Sequence, residues 1–206
     1  MRRVFFAVLA SVSLACSIAS AQTAQEHAVI FEENLTTQGA RYEGTTTWGL
    51  KDVPSGPGEA AQQAVQAVVT VPDKQLTATW TLRRNTDRAL PASHVIEIAF
   101  KVPPGSSGET LDDLPGMLMK PLEMSEGTAL AGVGVKVTDN YFLFGLNAGS
   151  VDAKRNIELL KSLDWIDVPL VRRNGHRLIL ALQKGETGSH AFDTAFAAWN
   201  DSAKAK

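Results

Sequence analysis

Apolar and polar residues alternate along most of the chain, and the alternation predicts strands. Residues 41–50 place Tyr42, Thr46, Trp48 and Leu50 on one face and Arg41, Glu43, Thr45 and Thr47 on the other. A period of two, enriched in Thr and aromatic residues, marks a half-buried strand. Residues 53–58, rich in Pro, Gly and Ser, read as a loop. Next, Val65, Ala67, Val69 and Val71 alternate with small or polar neighbours. After Pro72-Asp73, Leu76, Ala78, Trp80 and Leu82 alternate with Thr77, Thr79 and Thr81. A turn at Pro72-Asp73 would pair Val69 with Leu76, Ala67 with Ala78 and Val65 with Trp80.

The same reasoning gives two further hairpins. With Asp139-Asn140 as the turn, Val137 would face Phe142, Val135 would face Phe144 and Val133 would face Leu146. Asn174-Gly175 suits a type I′ turn between residues 166–171 and 178–182, because both positions tolerate positive φ. Both faces of that pair are rich in apolar residues, so the sheet there is expected to be covered on both sides. Residues 95–102 form another strand, with Ile96, Ile98 and Phe100 inward, and residues 103–115 a long loop carrying Gly105-Ser106-Ser107-Gly108 and Asp112-Asp113.

Two helices break the alternation. Ser150 is the expected N-cap of the first, Asp152 favours its positive end, and Ala153, Ile157 and Leu160 make an inner stripe ending near Leu163. In the second, Phe192, Phe196 and Trp199 fall at helical spacing beside Ala191 and Ala195, a stripe fit to dock on a sheet. The fold class expected is therefore mainly β: an antiparallel β sandwich or strongly curved sheet of about eight to nine strands with two α-helices, the C-terminal one packed on the sheet.

The N-terminus changes the picture of where this fold works. Met1-Arg2-Arg3, an apolar run over residues 4–15 and the ending Ala19-Ser20-Ala21 have the three-part layout of a signal peptide. As a helix the run would span about 18 Å against a hydrocarbon core of about 30 Å, too short for a good anchor. Residues 1–21 are thus expected to be removed, leaving 22–206 as one exported domain, periplasmic or secreted, with no stable membrane span. Arg2-Arg3 also fits a twin-arginine signal, and Ser13-Leu14-Ala15-Cys16 a lipoprotein box with Ser13 where an aliphatic residue is preferred. Cleavage after Ala21 removes Cys16, the only cysteine, so the mature domain would be held by packing alone. It would also remove Arg2 and Arg3, leaving 18 basic against 22 acidic side chains, a net charge of −4 with no footprint for nucleic acid.

Candidate chemistry is sparse. No nucleophile elbow, P-loop, His-Glu-x-x-His or dinucleotide motif occurs in the sequence, and no cofactor or metal site is implied. His27 falls at the expected frayed start of the mature chain. His190 falls in the expected first turn of the last helix, with Asp193 three residues on, too few groups to ligate a metal. His94 opens a strand after the polar run from Arg83 through Arg84 and Asp87, either as an edge histidine bonded to backbone or as the base of a hydrolase or isomerase. The Asn174-Gly175 turn sets Arg173 opposite His176 and Arg172 opposite Arg177, a like-charge conflict that a neighbouring carboxylate or an acidic partner would relieve. The candidate binding residues are thus Arg83, Arg84, Asp87, His94, Arg172, Arg173 and Arg177, for an acidic protein or a small anionic ligand.

Several stretches carry a resemblance. Tyr42-Glu43-Gly44 with Trp48, Leu82-Arg83-Arg84-Asn85-Thr86-Asp87 with Leu90-Pro91-Ala92-Ser93-His94, Pro115-Gly116-Met117-Leu118-Met119-Lys120, and Arg155-Asn156-Ile157-Glu158-Leu159-Leu160-Lys161 belong to it. With Leu130-Ala131-Gly132-Val133 and the Phe192, Phe196, Trp199 stripe, they resemble an uncharacterised exported domain family of alphaproteobacteria over nearly all of the mature chain. The C-terminal hairpin and Ala-rich helix are also similar to invasion-associated protein B of the same bacteria. The resemblance implies export and a β-rich fold but no activity. The function expected is a non-enzymatic binding or envelope-associated module.

Overall fold

The computed structural model describes residues 24–33, 39–55, 60–102 and 110–204. The expected signal peptide, residues 1–21, and Gly105-Ser106-Ser107-Gly108 lie outside these residues. The strands run in chain order as β1 (Glu26–Glu32), β2 (Ala40–Val53), β3 (Gln62–Val71), β4 (Leu76–Arg84), β5 (Ala92–Lys101), β6 (Leu111–Asp113), β7 (Leu118–Lys120), β8 (Thr128–Ala129), β9 (Gly132–Thr138) and β10 (Tyr141–Asn147). Then follow α1 (Ser150–Ser162), β11 (Trp165–Arg172), β12 (Arg177–Gln183) and α2 (Gly185–Lys204). All twelve strands belong to one antiparallel sheet, ordered β8-β7-β11-β12-β1-β2-β3-β4-β5-β10-β9, with β6 paired to β11. The eight strands visible in the alternation are all present. The four additional ones are the three short strands β6 to β8 and β1, whose buried Ala28, Val29 and Ile30 run without alternation because both faces there are covered.

The sheet curls until its ends approach each other. Lys136 of β9 lies 2.6 Å from Asp112 of β6 and 2.9 Å from Asp139, while Arg173 beyond β11 donates to Asp139 at 2.8 Å. The Leu111 N–H donates to the Asn140 side-chain oxygen at 2.9 Å. Asp112 and Asp113 therefore sit on a short strand that helps tie the ends, not in a free loop.

The concave face holds the core. Val65, Ala67, Val69 and Val71 of β3, Leu76, Ala78, Trp80 and Leu82 of β4, and Ile96, Ile98 and Phe100 of β5 are buried there, continued by Phe142, Phe144 and Leu146 of β10. α2 lies over this face through its expected stripe. Trp48, Trp80 and Phe192 meet with ring centroids 5.6–5.9 Å apart, a spacing that favours edge-on and tilted aromatic contacts. Trp199 donates its indole N–H to the Gln63 carbonyl at 2.9 Å. α1 adds Leu160 and the buried Asn156, whose amide both accepts from the Ala131 N–H and donates to the Ala131 carbonyl at 2.8 Å. Leu50, expected inward, is 39% exposed.

Three registers differ from expectation, each because of the turn. Between β3 and β4 the turn takes four residues, with Gln75 left-handed at φ 46°, so Val71 faces Leu76 and Ala67 faces Trp80. That is a two-residue shift, which keeps every side chain on its expected face. Between β9 and β10, Asn140 is left-handed at φ 61° and a bulge follows, so Lys136 faces Phe142, Gly134 faces Phe144 and Gly132 faces Leu146. This one-residue slip turns Val133, Val135 and Val137 outward, where they are 47–64% exposed. Glycine is required inward, because a Cβ on Gly134 would stand 2.0 Å from the Leu114 carbonyl oxygen. At the third turn only Gly175 has positive φ, 84°, and Arg172 pairs with His176 while Val171 faces Arg177. The expected opposition of Arg172 to Arg177 does not exist.

The helix starts also move. Gly149, not Ser150, is the N-cap of α1, and α2 begins at Gly185, which puts His190 in its second turn.

Candidate functional site

The structure separates the sequence candidates into two groups, with β1 to β3 between them in the sheet. In the first, Arg83 is held by Glu97 at 2.7 Å and Arg84 donates to the Trp199 carbonyl at 3.3 Å. Asp87 closes a local turn by accepting the Ala89 N–H at 2.8 Å. His94 is 8% exposed, with its ring 5.7 Å from Phe196 and 5.1 Å from Trp199. Its Nδ1 lies 3.3 Å from the Ser93 hydroxyl, which itself donates to the Leu146 carbonyl at 3.3 Å. Burial, helped by the Arg84 charge, pushes its pKa down to about 4. These contacts fit a packed histidine under α2.

In the second group, Arg172 is buried and donates to Glu32 at 2.5 Å, Arg173 is shared between Asp139 and Asp112, and Arg177 stands exposed. Burial works to raise the Glu32 pKa, yet bonds from Lys74 and Arg172 outweigh it and hold the carboxyl low. The carboxylates anticipated beside these arginines are the chain's own.

Arg177 borders the feature that sequence reasoning missed, a groove of about 660 Å³ on the convex face. Its floor is built by cross-strand rows. Phe31 faces Ile179 and Ile179 faces Pro169, so one apolar row crosses β1, β12 and β11. Its walls come from Pro115, Asp113, Glu33 and Val171. Pro169 explains why the wall stands off. Arg172 gives its N–H to β12 through His176, and by strand alternation the Pro169 nitrogen points to the other edge of β11. Proline has no N–H to offer there, and pairing on that edge stops between β7, which meets residues 165–167, and β6, which meets residues 171–172.

A recess of about 240 Å³ continues this groove, sharing Phe31 and Ile179 with it and adding Lys120, Glu123, Met124, Ser125 and Asp167. Asp167 is 7% exposed and Lys120 is buried beside it, their charged atoms 2.7 Å apart. The second carboxylate oxygen of Asp167, Oδ1, is buried without a hydrogen-bond partner among the described residues. Burial pushes the Asp167 pKa up against the bond and charge of Lys120, and Glu123 adds to the rise. Glu123 also pairs with Arg41, and Arg41 in turn with Glu43 at 2.7 Å. His27 bonds Glu43 and meets Trp165 edge-on at 5.8 Å, so it belongs to a central strand and not to a frayed end. Behind the recess, Val29, Ala181, Trp165 and Phe31 make a second, small apolar cluster. The expected covering of both faces thus holds over Trp165 and gives way to an open groove beyond Ile179.

Lys184 is another buried charge that the sequence does not announce. It is 1% exposed and donates to the Leu160 and Leu163 carbonyls at 2.7 Å each, capping the end of α1. Burial pushes its pKa down to about 8 against the charges of Asp164 and Asp193. Its bonds are complete within the fold, which marks it as structural.

Among the described residues no group of three or more His, Cys, Asp and Glu side chains could hold a metal, and no helix is long and apolar enough to cross a membrane. No family model, curated protein or solved structure matches the chain.

Proposed function

We propose that the protein is a non-enzymatic binding module, exported from the cytoplasm, that takes a partner in the convex groove of β1, β12 and β11. The observation that carries this reading is the apolar row Phe31, Ile179 and Pro169 lying open between charged rims in a sheet whose other face is filled. Open apolar clefts with few polar groups are where proteins receive ligands. The arginines first singled out favour the groove as well, since Arg83, Arg172 and Arg173 are engaged by internal carboxylates and Arg84 by the Trp199 carbonyl, while Arg177 borders the groove. Export rests on the signal layout of residues 1–21 and on the resemblance to exported domains of alphaproteobacteria.

The test uses the neutral apolar fluorophore N-phenyl-1-naphthylamine. Saturable binding is expected in the wild type, with energy transfer from Trp165, the tryptophan of the convex face. Ile179→Asp places a charge on the groove floor and should weaken binding by about tenfold or more while leaving the circular dichroism unchanged. Equal binding by Ile179→Asp, or no saturable binding at all, refutes the groove.

A further inference from the structure

The recess at the end of the groove holds a buried carboxylate oxygen, Asp167 Oδ1, that has no hydrogen-bond partner among the described residues. In a folded interior such an oxygen is normally satisfied, because desolvating it without a hydrogen bond is costly. Lys120 occupies only the other oxygen, Oδ2, at 2.7 Å. Two carboxylates, Glu123 and Asp167, line the recess with one cation, Lys120; outside it Glu123 pairs with Arg41 and lies 3.7 Å from the His27 ring. Lys120 spends part of its donor capacity on the Glu123 carbonyl. The site therefore lacks a donor, and a carboxylate oxygen bonds a cationic donor more strongly than a neutral one.

We propose that the recess receives one lysine or arginine side chain from an extended segment of a partner protein, donated to Asp167 Oδ1, while the segment's apolar side chains lie along the groove. This rests on the groove reading above. A peptide fits better than a small amine because the recess and groove are continuous through Phe31 and Ile179. From Asp167 to Val171 they follow β11 for about 13 Å at roughly 3.3 Å per residue. An extended segment laid along β11 presents alternate side chains at the same two-residue interval as Asp167, Pro169 and Val171. A basic residue over Asp167 thus places the second residue onward over Pro169 and the fourth over Val171.

The probe is acetyl-Lys-Ser-Leu-Ser-Val-amide, with the norleucine analogue, which keeps the alkyl chain and drops the ammonium, as its control. Binding is followed by amide chemical shifts of Asp167, Ile179 and Ala181. The lysine peptide is expected to saturate and to bind about tenfold or more tightly than the norleucine peptide. Asp167→Asn alone strands Lys120 in a buried site, so it is paired with Lys120→Met, which keeps the site neutral. In that double variant the two peptides should bind alike. Equal affinity of both peptides for the wild type overturns the recess assignment but leaves the groove standing. A lysine preference that survives the double variant also overturns it. Octylamine binding as tightly as the lysine peptide assigns the site to small amphiphilic amines and overturns the partner segment. No binding by any probe, N-phenyl-1-naphthylamine included, removes the groove and the recess together.

Discussion

The two faces of the curled sheet are built on opposite principles. On the concave face, apolar side chains from β3, β4, β5 and β10 interlock with Phe192, Phe196 and Trp199 of α2; Asn156 and Lys184 bond backbone there, while the buried Trp80 indole N–H and Thr46 hydroxyl have no partner among the described residues. On the convex face, small residues such as Val29 and Ala181 lie next to a buried ion pair, a bare carboxylate oxygen and an apolar groove. The difference teaches where each kind of work is done. A filled face stabilises by excluding water, whereas the convex face keeps open space beside a charged group, and the proposed binding role rests on that space.

The largest effect should come from breaking the filled face. Trp80→Ala removes the centre of the aromatic stack and is expected to destabilise by about 3–5 kcal/mol in denaturant unfolding. Val135→Thr on the solvent side of β9 should change stability by less than about 0.5 kcal/mol. Comparable losses at the two positions would mean that the valine row of β9 is not exposed as described.

The second effect separates the faces by pH. His94 stays neutral in the fold down to a pKa of about 4, while the unfolded chain takes up the proton near the ordinary value of 6.5. Its folded-state pKa is lowered, so its contribution is complete above pH 6.5 and is lost as pH falls toward 4. The loss is about 3 kcal/mol at roughly 1.4 kcal/mol per unit. His94→Leu should flatten the stability profile between pH 6.5 and 4. A slope unchanged by that substitution would place the acid sensitivity elsewhere. The smallest effect is expected at the rim, where Arg173→Ala should cost less than about 1 kcal/mol, because its ion pairs are exposed and screened.

Much of the concave face was legible in the sequence. The alternation in residues 65–71 and 76–82 and the Phe192, Phe196, Trp199 spacing identify core positions without knowledge of which strands are neighbours. Registers were less legible, because one left-handed residue, Asn140 or Gly175, resets a whole strand pair. The valines of β9 looked like core residues until Gly132 and Gly134 proved to be the inward positions. The convex groove could not be read locally. It needs β1 beside β12, whose partners are 148 residues apart in the chain at Phe31 and Ile179 and 146 at Glu32 and Leu178, and a gap in pairing opposite Pro169. One signal was present all the same: Asp167 is a single carboxylate in a strand apolar on both faces, and Lys120 closes an equally apolar run. Arginine-rich turns drew attention because charge density is visible in a sequence, whereas the internal carboxylates that neutralise them are not.

The most direct test of this division is a crystal structure of the protein with the lysine peptide. The peptide should lie along β11 on the convex face, its ammonium within hydrogen-bond distance of Asp167 Oδ1, with the concave core unchanged. A peptide seated instead beside His94 and Arg84, or one that enters by displacing α2, would contradict the account.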